Sequence, residues 1–343
     1  MKKLFHLAGR AWSYITSNLA SNNFVIHHSG QVPDFLHTAE EELKDKGDIH
    51  YIIKDIEGCF PNMDKQAIKQ GLQEELQRIT KATGYDAITV PKKTSVKCTF
   101  ATTRRKGDVR IPFEDVLEIM HFALENTILM DFDNQLWRQI KGIPMGDPHS
   151  PGMTIGTCAW MEHRWLDTLP PQTKGNFVAK RYMDDILLFY VIRQGFDHQT
   201  FIANFAKSDC YLDPLRLEDG GDNTFLETTF EVTPANGIRH WLKNDNQPGQ
   251  PPKIWRYAHY NSHGEHSKKD SIILATLRKL HKMASDPYAR RHSAYAKLME
   301  FYALQYPRRV LWRACTSMAV TTRDATWFRI REDLQFLRRQ QPA

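Results

Sequence analysis

Long hydrophobic runs are missing from this 343-residue chain; its longest uninterrupted apolar stretch, residues 186–192, has seven residues. A bilayer-spanning helix needs roughly 20, so no membrane partner is expected. Cysteine is scarce: five residues, at 59, 98, 158, 210 and 315, with no C-x-x-C pair. That excludes a clustered zinc module and fits reduced thiols in an intracellular protein. The start, Met1-Lys2-Lys3-Leu4-Phe5-His6, opens like a signal peptide, but Arg10 interrupts the apolar stretch and no cleavage pattern follows, so secretion is not expected. Internal repeats and low-complexity tracts are absent as well. What remains, 41% hydrophobic and 25% charged, is a globular composition with chain enough for two or three subdomains.

Charge is unevenly placed. From residue 239 to the end there are 20 Lys and Arg against 8 Asp and Glu, a net +12, while residues 1–238 hold 26 against 32, a net −6. A basic final third beside an acidic body fits a polyanion held at one end while carboxylates work at the other. The competing explanation is a set of basic helices that merely solvate a surface.

The pattern predicts a helix over 11–47, then a buried β-branched strand over 50–56. Pro61-Asn62-Met63-Asp64 stops that strand, and Asp64 caps a helix reaching about residue 81. Residues 84–110, with Lys92, Lys93, Lys97, Arg104, Arg105 and Lys106, read as a basic β-hairpin or loop insert. Helices are expected over 113–130 and 153–166, with an irregular Gly- and Pro-rich segment, 142–152, between them. Two apolar strands, 179–182 and 186–192, meet at Met183-Asp184-Asp185. The Pro-rich stretch 246–252 reads as a linker, followed by basic amphipathic helices at 268–284, 288–305 and 323–340. The order is that of an α+β fold.

Asp184 and Asp185 are adjacent like charges between strongly apolar strands, an arrangement that is costly unless a divalent cation neutralises it. Asp is also common in turns without any such role. Asp55, at the end of the other buried strand, changes the balance. If its strand lies beside the 179–192 hairpin, three carboxylates converge and supply the oxygen donors that two hard cations require for in-line phosphoryl transfer.

These residues resemble known motifs. Tyr182-Met183-Asp184-Asp185 resembles the reverse transcriptase catalytic tetrapeptide, and Asp55 followed five residues later by Phe60 resembles the first catalytic motif of the same enzymes. Gly142-Ile143-Pro144-Met145-Gly146-Asp147-Pro148-His149-Ser150-Pro151 resembles their G-x-P-x-G-x-x-x-S-P segment, and the order matches. Met145-Gly146, Arg181 and Phe225-Leu226-Glu227 look like the Penelope-like branch, although Glu227 stands where Asp is usual. So do Tyr260-Asn261-Ser262-His263 and Gln305-Tyr306-Pro307, which are similar to that branch's thumb. The resemblance covers about residues 45–315.

The resemblance implies a right-hand polymerase palm, a ferredoxin-like antiparallel sheet with helices, plus a helical thumb. It divides the chain into an N-terminal helical segment with partial fingers (1–48), a palm with a basic insert (49–245), a linker (246–252) and a thumb with a tail (253–343). Asp55, Asp184 and Asp185 would hold two Mg²⁺ ions, with Mn²⁺ as a substitute. Phe60 would be the steric gate against a 2′-hydroxyl. Gly142, Pro144, Met145, Gly146, Ser150, Tyr182 and Met183 would contact the nucleotide. Phe225 and Leu226 would hold the primer end, and Lys268, Lys269, Arg278 and Lys279 its backbone or the template's. Trp255, Tyr257 and Tyr260 are candidate stacking residues. The implied partners are an RNA or DNA template with its primer and deoxynucleoside triphosphates. His259, His263 and His266 read as phosphate or structural contacts rather than zinc ligands.

Only 54 residues precede Asp55, fewer than such enzymes devote to fingers. A truncated fingers region is expected, with the insert at 92–106 as the alternative substitute. Two other functions stay open. An RNA-templated RNA polymerase is disfavoured by Phe60, where a second Asp is common, and by Met183, where Gly precedes the Asp pair. A non-catalytic nucleic-acid-binding remnant is opposed by the three retained aspartates.

Overall fold

The computed structural model describes residues 2–18, 23–100, 105–130, 132–207, 209–246, 254 and 256–334. In chain order the elements begin with α1 (Lys2–Thr16), α2 (Val32–Leu43), β1 (Asp48–Ile56), α3 (Cys59–Asn62), α4 (Lys65–Thr83), β2 (Ala87–Val90), β3 (Val109–Pro112) and α5 (Phe113–Glu125). They continue with β4 (Ile128–Met130), β5 (Leu136–Arg138), α6 (Ser150–Thr168), α7 (Pro171–Lys174), β6 (Phe177–Tyr182), β7 (Asp185–Ile192), α8 (His198–Ala206) and β8 (Leu217–Asp219). Then come β9 (Thr224–Phe225), β10 (Thr228–Val232), β11 (Ile238–Leu242), α9 (His266–Met283), α10 (Pro287–Ala303), α11 (Arg308–Thr322) and α12 (Thr326–Asp333). These form two units, one of residues 1–27 and 50–221, the other of residues 28–49 and 222–343.

The first unit is built on a four-stranded sheet ordered β6-β7-β1-β8. Its strands enter the chain as strand, helix, strand, strand, helix, strand, and their order in the sheet is second, third, first, fourth. That is the ferredoxin-like arrangement. The outer pairs β6–β7 and β1–β8 are antiparallel. Asp64 caps α4 by accepting from the Ala67 N–H at 2.8 Å, and Gly84, at φ +73°, ends the helix. α6 is buried almost all round because it lies between other helices. Gly71 lets α4 meet Trp160 of α6, where a Cβ would come within 3.0 Å of the indole. On another side of α6, Gly152 and Gly156 receive Trp12 of α1. Buried apolar residues from α1, α4, α5, α6 and the sheet make one continuous core.

The second unit has a small sheet ordered β11-β10-β9 and the helices α9–α12 around a separate core that includes Leu277, Leu280, Phe301, Leu311 and Trp327. Strand β11 buries Ile238, His240 and Leu242, and Leu242 joins that core. The Ser285 N–H donates to the His240 carbonyl at 2.9 Å, and His240 Nδ1 lies 2.9 Å from the Met283 carbonyl. Residues 222–245 therefore group with the helices, unlike the boundary at 245 expected from the Pro-rich stretch. Residues 28–49 join them, with the Ile238 N–H donating to Glu40 Oε2 at 2.6 Å.

Other sequence expectations shift for local reasons. The helix over 11–47 is two helices, α1 and α2, because a Ser- and Asn-containing stretch breaks it. The helix from 113 ends at residue 125, and Ile128–Met130 pairs with β5 instead. The basic insert is the antiparallel pair β2–β3 with a long connection. The third basic helix, expected over 323–340, is α12 within those bounds, and an unexpected helix, α11, starts after Pro307 ahead of it. Arg104, Trp255, residues 247–252 of the linker and residues 335–340 lie outside the described residues. Among the described residues no helix is long and apolar enough to cross a membrane, and all five cysteines are buried free thiols.

Candidate active site

Two-residue hairpin geometry places the aspartate pair. Tyr182 pairs with Asp185 across β6 and β7, so the turn consists of Met183 and Asp184. Met183 takes the left-handed φ of +58°, an uncommon state for a residue with a side chain. Alongside, β1 is the next strand in the sheet. The Ile56 N–H donates to the Asp184 carbonyl at 3.1 Å, which sets Asp55 beside the turn. All three aspartates are half-buried. The sequence offered the three carboxylates, and the strand order gathers them.

Their environment is electrostatically strained. Burial, then the charge of Asp184, then that of Glu218 raise the Asp55 pKa above the ordinary carboxylate value. Glu218 is Asp55's partner across β1 and β8. Burial, then Asp184 and Asp55, push Asp185 up to about 6. None of the three forms an ion pair with Lys or Arg among the described residues. A hard oxygen donor set with surplus negative charge and no ion pair to a basic side chain among the described residues fits Mg²⁺ or Mn²⁺. Among the described residues no three such side chains are already closed into a cage, so a cation would have to draw these carboxylates together.

Beneath the turn lies a buried network that sequence reasoning missed. Arg181 is fully buried on β6, its Nε bonded to Glu162 Oε1 of α6. Its Nη1 donates to the Met183 carbonyl at 2.7 Å. Glu162 also accepts from Tyr211 Oη at 2.9 Å and from the Phe24 N–H at 2.9 Å. Burial works against the Arg181 charge, and Glu162 more than offsets it, so the guanidinium stays ionised. The chain thus anchors the strained turn with a buried ion pair, in which Arg181 Nη2 alone is left without a partner among the described residues. The signal was faint: a single Glu in a helix that also carries His163, Arg164 and Asp167, 19 residues before its partner.

The Gly- and Pro-rich segment docks against the end of the first motif. Phe60 lies half-buried on α3, directly after β1. The Ile143 N–H donates to the Phe60 carbonyl at 2.7 Å, and the Gly142 N–H to the Met63 carbonyl at 3.2 Å. At Gly142 φ is +76°, and a Cβ would stand 2.5 Å from the Phe60 oxygen, so only glycine fits. Ser150 Oγ bonds the Pro144 carbonyl and closes the loop. Gly146 is also left-handed, and Met145 is 77% exposed.

The remaining candidates belong to the second unit. Phe225 is buried, and Leu226, at φ +54°, turns the chain from β9 to β10. Lys269 is buried on α9, donating to the Tyr260 carbonyl at 2.8 Å and to the Ser262 carbonyl at 2.5 Å, so it holds the fold rather than a phosphate. Lys279 pairs with Glu227 at 2.6 Å. Arg278 and Lys268 face solvent, the latter 3.4 Å from Glu265. Tyr257 and Tyr260 pack against the helical core.

No protein-family model and no curated protein matches the chain. Solved structures do. Telomerase from Candida albicans, in complex with a TWJ fragment of telomeric RNA, superposes with a TM-score of 0.61 at 11% identity over 96% of this chain and 55% of that one. Apo telomerase from Candida tropicalis gives a TM-score of 0.50 at 12% identity, covering 93% and 50%. The chain spans about half the length of these telomerases. At such identities the likeness shows the fold alone, a mixed α/β polymerase fold like that of a reverse transcriptase.

Two measurements follow from this geometry. Glu162→Leu strands the Arg181 charge, and is expected to lower unfolding stability by about 3–5 kcal/mol, with Arg181→Met added on top recovering much of it. Urea midpoints of the two variants decide this, and an unchanged midpoint for Glu162→Leu contradicts it. Asp185 is protonated more readily in the folded chain than in the unfolded one. Its contribution to stability is therefore full below the ordinary value of 3.8 and is lost as pH rises through about 6. Asp185→Asn is expected to raise the melting temperature at pH above about 7 in chelator, with the gain shrinking toward pH 4.

Proposed function

We propose that the chain is an RNA-templated DNA polymerase of a retroelement, with motifs nearest the Penelope-like reverse transcriptases. The observation that carries this reading is the bond from Ile56 N–H to the Asp184 carbonyl, which sets Asp55 beside Asp184 and Asp185 on a ferredoxin-like sheet. The polymerase fold and the RNA held by the Candida albicans telomerase support it.

Asp55, Asp184 and Asp185 would hold the cations, Mg²⁺ or Mn²⁺, which when bound supply an acidified primer hydroxyl and charge screening for the departing pyrophosphate. The chain's own residues do the rest. Arg181 fixes the carbonyl of Met183 and so the direction of the Asp184 side chain. Phe60, half-buried directly after β1, would exclude a 2′-hydroxyl. Gly142 and Gly146 bring backbone within reach of a nucleotide, and Pro144, Met145 and Ser150 shape that loop. Leu226 presents a left-handed turn for the primer end, and Arg278 and Lys268 contribute phosphate contacts without reading sequence.

Asp184→Asn is expected to abolish primer extension with deoxynucleotides while leaving template–primer affinity within about twofold, because the basic surfaces are untouched. Extension on an RNA template, run with deoxynucleotides and then ribonucleotides, measures both activity and sugar choice. Wild-type extension by the variant contradicts the assignment. An inactive wild-type chain that still binds template–primer favours the remnant, and ribonucleotide preference favours an RNA polymerase.

A further inference from the structure

A second charged surface lies on the first unit, away from the basic C-terminal third. Residues 92–110 hold seven Lys and Arg, at 92, 93, 97, 104, 105, 106 and 110, against the single carboxylate Asp108. A run of like charge is ordinarily a mobile, solvated loop. Here it is tied down. The Arg10 guanidinium of α1 donates to the Pro91, Lys93 and Val96 carbonyls at 2.8, 3.2 and 3.1 Å. Thr89 and Thr99 exchange backbone bonds of 2.8 and 3.1 Å, and Cys98 Sγ reaches the Arg10 carbonyl at 3.7 Å. Asp108 is turned inward, accepting from the Lys92 and Arg105 N–H groups at 3.2 and 3.4 Å. Lys92, Lys93, Lys97, Arg105 and Lys106 are all exposed, and none pairs with a carboxylate among the described residues.

Between this segment and α1 lies a groove of about 690 Å³. Its wall includes Arg10, Ser13, Tyr14, Asn18 and Lys97, and it reaches Pro148 of the segment docked against Phe60. Among the described residues no Asp or Glu lines it. Cations, hydroxyls and an amide without a carboxylate suit a sugar–phosphate chain and would repel nothing on it. At its margin Tyr85, 39% exposed, stacks on Phe100 at 5.8 Å and 19°, and Phe100 meets Tyr14 at 5.1 Å. Basic side chains interleaved with an accessible aromatic ring are the equipment for holding unpaired bases.

We propose that this groove and its basic rim bind single-stranded nucleic acid, the phosphates on Lys92, Lys93 and Lys97 and a base on Tyr85. The proposal needs a nucleic-acid partner but no catalysis, so an inactive polymerase leaves its test intact. The full chain is titrated with fluorescent oligo(U) and oligo(dT) from about 50 to about 200 mM salt. Lys92→Gln/Lys93→Gln/Lys97→Gln is expected to flatten the slope of log K against log salt by about 2 units on both strands, since single strands release roughly 0.7 per phosphate contact. Lys97→Gln alone should flatten it by about 0.7. Tyr85→Ala, which removes no charge, should weaken binding about fivefold or more with the slope unchanged. All of these side chains are at the surface, and a wild-type melting temperature checks the fold. Slopes equal to wild type for both lysine variants overturn the proposal, leaving the segment to an acidic protein partner or to solvent.

Discussion

Three carboxylates crowded at one end of a sheet repel one another, and the rest of the first unit is arranged to hold them there regardless. The restraint has two parts. Backbone bonding between β1 and the β6–β7 turn fixes Asp55 relative to Asp184. The buried Arg181, neutralised by Glu162, grips the Met183 carbonyl from below. The Ile56 N–H that makes the first part also bonds the Asp55 carboxyl and so partly offsets the effect of its burial. Burial and mutual repulsion nonetheless raise the pKa of Asp55 and Asp185.

The same economy of contacts recurs around the site. Gly142 is not a flexible spacer but the one residue small enough to lie against the Phe60 carbonyl in a left-handed conformation. It welds the loop after β5 to the helix after β1, so two motifs separated by about 80 residues become one surface. Gly152 and Gly156 do the equivalent for α1, whose Trp12 fills the space a side chain would take. α1 then carries Arg10, and Arg10 carries the basic segment. Sequence-distant features are joined by close backbone approach rather than by conspicuous side-chain chemistry.

Much of this was legible beforehand. The Asp184–Asp185 hairpin announced itself by two apolar strands with nothing between them but a short polar turn, and Asp64 was readable as a helix cap. The α+β order and the ferredoxin-like sheet followed from the motifs. Other features were not. That β1 lies beside β7 is a tertiary fact, invisible to periodicity. The compact second unit reaches back to residue 222, ahead of the Pro-rich stretch, because β11 packs its buried face with the helices that follow. Lys269 looked like a phosphate contact, yet its long stem reaches inward to two carbonyls, something a helical charge pattern does not reveal. Glu162 is followed directly by His163 and Arg164 on α6, and nothing local marks it as Arg181's partner.

The central claim is that Asp55, Asp184 and Asp185 form one site for divalent cations. Binding of Mn²⁺ to the full chain, followed by its paramagnetic resonance without nucleic acid or nucleotide, tests it most directly. Saturable binding is expected at neutral pH, weakening as pH falls through about 6, where Asp185 takes up its proton. Asp55→Asn and Asp185→Asn should each remove it. Mn²⁺ bound as tightly by both variants as by the wild-type chain would contradict the account.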